Sequence, residues 1–283
     1  MTRPRSMTSS RTRLARQRSR LPMGSRARGV ALVTGAARGI GHATVRRLSS
    51  DGFNVVAVDR GSDDPRLPYA LGTVAELQAL ANERIVTIPA DVTDLDELAG
   101  AVEIAERRWG GLDVVVAAAG VIAGGESAWE LDAAQEQAIL QINLGGVLNT
   151  ARVGVPALLR RPQPREGRFI AVASTAATRG LPQLAAYCAS KAGVTGYVRA
   201  LALELGGTGV TANTVSPGST RTPILDESAR LYGLESAEAF ADQQPCRRLL
   251  EPEEIAGLIA WLASPDSRGA TGGDYLLDGG LSL

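Results

Sequence analysis

The chain has 283 residues, 45% of them hydrophobic, and a formal net charge of +0. That length and apolar content suit one large α/β domain or two small ones, and the neutral balance gives no general attraction to nucleic acid or an anionic membrane. Two cysteines without CxxC spacing exclude a disulfide framework and fit a reducing cytoplasm, and the single histidine, His42, excludes a multi-histidine metal site, so no metal is expected.

Residues 1–28 are rich in Arg, Ser and Pro and poor in large apolar side chains. The first acidic residue is Asp51, and 12 arginines precede it. Such a segment cannot bury a core and is expected to be a disordered basic tail. It lacks the apolar stretch of a secretory signal. Its acid-free character resembles a transit peptide, and a start at Met7 or Met23 fits equally well. From residue 29 the pattern alternates. Strand-like runs fall at 30–34, 54–58, 84–89, 113–117, 168–173, 210–215 and 273–277, most of them continuously apolar, as strands buried on both faces are. Helical stretches at 40–50, 95–109, 132–160, 185–206 and 252–263 lie between them. The alternation predicts a Rossmann-type, doubly wound parallel sheet of about seven strands with helices on both faces, one domain over 29–283. Neither a membrane span nor an internal repeat is visible.

The first strand runs into Thr34-Gly35-Ala36-Ala37-Arg38-Gly39-Ile40-Gly41 and then a helix. Glycines there permit a tight turn and close approach to a pyrophosphate, and the helix N-terminus offers free N–H groups. The spacing is GxxxGxG, so the turn alone is modest support. Asp59 ends the second strand, where a carboxylate can take the ribose hydroxyls and repel a 2′-phosphate, which favours NAD over NADP. Arg38 and Arg60 argue for NADP. After the third strand, Asp91-Val92 can bracket an adenine. After the fourth, Ala117-Ala118-Ala119-Gly120 is small enough for close backbone approach.

Of the 30 basic residues, 29 are arginine; the single lysine is Lys191. A chain that uses arginine wherever a positive charge suffices has a reason to place an ammonium there. Tyr187 stands four residues earlier, on the same face of a predicted helix. A free tyrosine titrates at about 10, and an adjacent cation favours its phenolate, which makes the pair a candidate acid/base.

With these motifs in order, together with LDVVVAAAG, QINLGG, Ser174, YCASK, SPGSTRT and the terminal DGG, residues 29–283 resemble the short-chain dehydrogenase/reductase family. The resemblance implies that Tyr187 is the general acid/base and that Lys191 lowers its pKa and holds the nicotinamide ribose. It implies that Ser174 orients the substrate oxygen and that Asn143 holds a water linking Lys191 to solvent. Gly35, Arg38, Gly39, Ile40, Gly41, Asp59, Asp91, Val92, Ala118 and Gly120 would bind the cofactor, with Pro217, Gly218 and Thr222 fixing the carboxamide. One departure is Ala117-Ala118-Ala119-Gly120 in place of the family's Asn-Asn-Ala-Gly, which puts local rigidity in question.

The long connection Gly61–Ala81, with GVIAGGESAWE and ARLYGLESAEAF, is similar to mycofactocin-coupled short-chain dehydrogenases. That likeness implies a buried, non-exchanging NAD(H), capped by the insertion at its adenosine end and reoxidised by mycofactocin. The expected substrate loop is 219–250, made apolar by Leu225, Leu231, Tyr232, Leu234 and Phe240 and suited to a hydrophobic secondary alcohol or ketone; it should order over the substrate. By family likeness, helices 132–160 and 185–206 and the last strand would build a homotetramer. Two other readings stay open: an NADPH-dependent ketoreductase, such as one acting on 3-oxoacyl carrier protein, and a non-catalytic dinucleotide-binding protein. His42 is expected on a helix surface, and Cys188 is expected to pack.

Overall fold

In the computed structural model, residues 27–283 are described. The tail assigned to residues 1–28 therefore lies, apart from Ala27 and Arg28, outside the described residues. Seven parallel strands form one sheet in the order β3-β2-β1-β4-β5-β6-β7. They are β1 Gly29–Thr34, β2 Phe53–Asp59, β3 Ile85–Pro89, β4 Val114–Ala117, β5 Gly167–Val172, β6 Val210–Pro217 and β7 Asp274–Leu277. All seven fall on the apolar runs of the sequence, with ends shifted by a residue or two. The strands are short and valine-rich because both faces are covered.

On one face lie α3 Leu95–Trp109, α5 Gly146–Leu159 and α6 Ala185–Glu204. Leu98, Val147, Ala151, Val194 and Val198 pack there against Leu32, Val56 and Val115. On the other lie α1 Gly39–Ser50 and α8 Pro252–Leu262, whose Val45, Leu48, Ile255 and Ile259 meet Val33, Val55 and Val116. The chain order reverses between β1 and β4, and the C-terminal ends of those strands open the crevice where doubly wound sheets bind ligands. No helix among the described residues is long and apolar enough to cross a membrane.

Three features differ from the sequence expectation. The helix expected at 132–160 is α4 Ala133–Ile139, a π-helical turn Leu140–Gly145, and α5. The insertion contains a short helix, α2 Val74–Gln78, begun by a Thr73/Glu76 capping box. The expected substrate loop holds α7 Pro223–Leu231 and a 3-10 segment Ala237–Gln243. Leu225, Ala229, Ala237, Phe240 and Leu249 give this flap a small core of its own.

Candidate active site

The crevice is a cavity of about 670 Å³ running from the glycine turn to the flap. Gly35 and Gly39 take φ of 70° and 57°, which favour glycine. A Cβ on Gly41 would lie 1.9 Å from the Gly35 carbonyl oxygen, so the turn closes only around glycine. Arg38 caps α1 without a side-chain hydrogen bond, and no acid occupies the first turn. The helix N-terminus therefore keeps N–H groups free to meet a phosphate. Asp59 accepts hydrogen bonds from Ala37 N (3.0 Å) and Gly61 N (3.2 Å), which fixes its carboxylate at the cavity edge. These features fit a dinucleotide: a cradle that side chains would fill, an uncapped helix and a carboxylate where the ribose would sit.

The insertion folds back over this end. Its anchor is Asp64, 2% exposed, which receives Arg66 at 2.7 Å and Arg60 at 2.9 Å. The two guanidiniums hold its carboxyl far below the usual range. Arg60 also reaches Asp91 at 3.4 Å, and Arg66 donates to Gln141 in the π turn at 2.7 Å. Tyr69 stacks near the Arg38 guanidinium, 5.9 Å from its ring centroid, and accepts the Ile122 N–H at 3.1 Å. Burial pushes its phenol up to about 12. Leu71 and Gly72 of the insertion line the cavity.

At the other end, Ser174 closes β5 and Tyr187 and Lys191 project from α6. Tyr187 is 9% exposed and Lys191 is 5% exposed. The Lys191 ammonium donates to the Val172 carbonyl at 2.9 Å and lies 5.8 Å from the Tyr187 ring centroid. Protein groups alone do not make the tyrosine acidic: burial pushes it to about 12, opposed by a hydrogen bond with Ser174. Burial likewise brings Lys191 down to about 8. Burial thus opposes the phenolate of Tyr187, which a further cation nearby would favour.

Every predicted site residue except Asn143 lines the cavity. Asn143 sits beneath it, fully buried in the π turn. Its amide nitrogen donates to Val121 O (2.9 Å) and Ser190 Oγ (3.1 Å), and its oxygen accepts from Val121 N (2.8 Å). Ser190 Oγ donates in turn to the Tyr187 carbonyl at 2.7 Å. Asn143 therefore ties the segment after β4 to the helix carrying the reactive pair. The wide turn is what aims it inward.

Four contributors escaped the sequence reading. Thr34 Oγ1 accepts from Ala118 N (3.2 Å) and Ala119 N (3.3 Å), bracing the alanine segment whose rigidity was in question. Tyr69 straps the insertion to Ile122, and Ser190 links Asn143 to α6. Gln244, fully buried, accepts from Ser219 N at 2.9 Å and holds the strand-end turn. Thr34 and Ser190 stand inside motifs that the sequence singles out, beside Gly35 and Lys191, whereas Tyr69 and Gln244 carry no such signal. His42 is half-buried, and its Nδ1 has no partner among the described residues, rather than lying on an open surface. Cys188 packs partly buried against the main core.

The fold and site define an oxidoreductase of the dinucleotide-binding class. The sequence pattern described as enoyl-(acyl carrier protein) reductase matches residues 35–282. A short-chain dehydrogenase/reductase of Hericium erinaceus is 35% identical over 90% of this chain and 98% of its own length. (-)-trans-Carveol dehydrogenase of Rhodococcus erythropolis is 32% identical over 90% of this chain and 97% of its own. The crystal structure of carveol dehydrogenase from Mycobacterium avium in complex with NAD superposes with a TM-score of 0.85 at 31% identity, covering 90% and 98% of the two chains. The chain belongs to the short-chain dehydrogenase/reductase family and is an oxidoreductase of the alcohol dehydrogenase type.

Proposed function

We propose that this enzyme moves a hydride between a small hydrophobic secondary alcohol or ketone and NAD(H), with Tyr187 as general acid/base. The observation that carries this is the placing of Ser174, Tyr187 and Lys191 at one end of a single cavity, between the glycine turn and an apolar flap. Bound nicotinamide supplies the hydride donor or acceptor and, when oxidised, a positive charge. Tyr187 Oη gives or takes the proton of the substrate oxygen, and Ser174 orients that oxygen. Lys191, held by the Val172 carbonyl, steadies the phenolate and the ribose. Asn143 braces Val121 and Ser190, and by family likeness it would hold a water leading from Lys191 to solvent. Gly35, Arg38, Gly39, Ile40 and Gly41 receive the pyrophosphate. Asp59 takes the ribose, Asp91 and Val92 take the adenine, and Ala118 and Gly120 allow close approach. Pro217, Gly218 and Thr222 fix the carboxamide.

NAD is favoured by Asp59, and the NAD-bound carveol dehydrogenase is consistent with it. The carveol dehydrogenases also agree with an apolar cyclic alcohol as substrate. The strapped insertion supports retention of the cofactor; reoxidation in place by mycofactocin and assembly into a cytoplasmic homotetramer complete the proposal. Exposed Leu203 on α6 and exposed Leu276 on β7 suit such interfaces. Arg38, which faces the same end of the cavity as Asp59, favours the NADPH ketoreductase reading.

The test is the ultraviolet spectrum after extensive desalting, followed by a panel of apolar alcohols. A retained nicotinamide band that reduces with one alcohol but does not turn over with free NAD supports the proposal, and Tyr69→Phe should release the cofactor faster. An empty protein that turns over with free NAD leaves an exchanging dehydrogenase; preference for NADPH and a ketone selects the ketoreductase.

A further inference from the structure

We infer that the substrate end of the cavity contains an anion subsite built on Arg179, so that the preferred substrate carries a carboxylate remote from its reacting carbon. The inference deepens the alcohol dehydrogenase reading and rests on it for the word substrate. The charges of the cavity are unevenly divided. At the adenosine end the lining includes Arg38, Arg60, Asp59 and Asp91, of both signs. At the substrate end the wall is apolar, with Leu184, Ile224, Leu225 and Phe240, and its two charged members, Arg179 and Lys191, are both positive. Among the described residues, no aspartate or glutamate lines that end.

Arg179 is placed by the same elements that place the reactive pair. It follows the 3-10 turn Thr175–Ala177 that Ser174 begins, and its N–H donates to the Thr175 carbonyl at 3.0 Å. Its own carbonyl accepts from Cys188 Sγ at 3.7 Å, immediately beside Tyr187. The backbone of Arg179 is thus fixed between the two residues that would hold the substrate oxygen.

The guanidinium is differently situated from that of Arg60, which faces the same cavity but is taken up by Asp64 and Asp91. The side chain of Arg179 makes one described hydrogen bond, from Nη1 to the Leu281 carbonyl across the mouth. A guanidinium has five N–H groups, so most of its fork is left for another acceptor. Its planar geometry matches a carboxylate in a bidentate pair. Two like charges in an apolar-walled cleft also concentrate anions there. Because Arg179 is exposed at the rim, the anion would stay in contact with water while the apolar body lies against the flap.

The test is calorimetric titration of the whole protein at low ionic strength with cyclohexanecarboxylate and its matched amide, cyclohexanecarboxamide. Neither probe has an alcohol, so the readout does not depend on turnover. Wild type should bind the acid about ten-fold more tightly than the amide. Arg179→Gln should remove that difference and leave amide affinity unchanged; Arg179→Lys should keep part of it. Acid and amide binding within two-fold of each other, no binding of the acid, or a preference that survives Arg179→Gln would overturn the subsite. Failure of the dehydrogenase reading would show separately, as no turnover with any alcohol by a protein that still prefers the acid.

Discussion

Replacing Lys191 with methionine should leave stability at neutral pH little changed or slightly raised, remove its pH dependence, and abolish the chemistry. The ammonium is 5% exposed, with one described hydrogen-bond acceptor, the Val172 carbonyl. Burial depresses its pKa from 10.5 to about 8. The folded state therefore binds fewer protons than the unfolded state between those values, and stability rises with pH across that window. Below pH 8 the penalty is fully present, at ~3 kcal/mol for a shift of that size. By pH 9.5 linkage returns about 2 kcal/mol of it. Methionine carries no charge, so it escapes the penalty but leaves the Val172 carbonyl unpaired, a cost of ~1–3 kcal/mol. The net gain at pH 7 is therefore small, and the pH dependence is the sharper observable. Urea unfolding of both proteins at pH 7 and pH 9.5 gives it directly. The wild-type value minus the mutant value should rise by about 2 kcal/mol between the two. A difference that stays flat would show that Lys191 is not a buried ammonium.

Tyr187→Phe should lower kcat by about 10²–10⁴-fold with cofactor affinity and melting temperature nearly unchanged, since it removes one proton-carrying oxygen; turnover at the wild-type rate would remove the mechanism. Gly41→Ala should destabilise by ~2–4 kcal/mol and weaken cofactor binding, because its Cβ would fall 1.9 Å from a backbone oxygen; calorimetry showing an unchanged melting temperature would contradict the tight turn. Asp59→Ala should shift preference toward NADP and weaken NAD binding, as the Ala37 N–H also loses its acceptor; an unchanged NAD/NADP ratio in steady-state assays would count against Asp59 as the discriminator. The pH profile of alcohol oxidation should rise as Tyr187 loses its proton, with the midpoint far below the value of about 12 that the protein groups alone set; a midpoint near 12 would mean that no added cation reaches the phenol.

The parts of the fold that were legible are those set by local patterning. Val55–Val58 and Val114–Val116 are fully or almost fully buried, and continuous apolar runs announce such strands. The glycine turn and Tyr187/Lys191 were legible because backbone clearance and one-face spacing are written in adjacent residues. The π turn was not, since it depends on partners remote in sequence: Asn143 bonds Val121, 22 residues away, and Gly146 fits where a Cβ would come within 2.6 Å of Val92. The helix α2 was readable in retrospect, as Thr73 and Glu76 stand at capping-box spacing. So was α7, where Thr222-Pro223 offers a cap and a favoured first position. Neither helix shows a long apolar period, and both sit in stretches that otherwise read as loop. The strap by Tyr69 and the charge at Arg179 depend on tertiary placement alone.

The separate core of the flap bears on how such an enzyme changes its diet. Leu225, Ala229, Ala237, Phe240 and Leu249 pack mainly on one another, apart from the two cores that sandwich the sheet. Substitutions among these five residues are therefore absorbed largely within the flap, whereas Ile224, Leu231 and Tyr232, which pack against the main core, tie its wall to the sheet. Selectivity can thus be retuned at the five inner positions of the flap with little effect on the frame beneath the glycine turn, while changes at the three tethering residues carry a cost in fold stability.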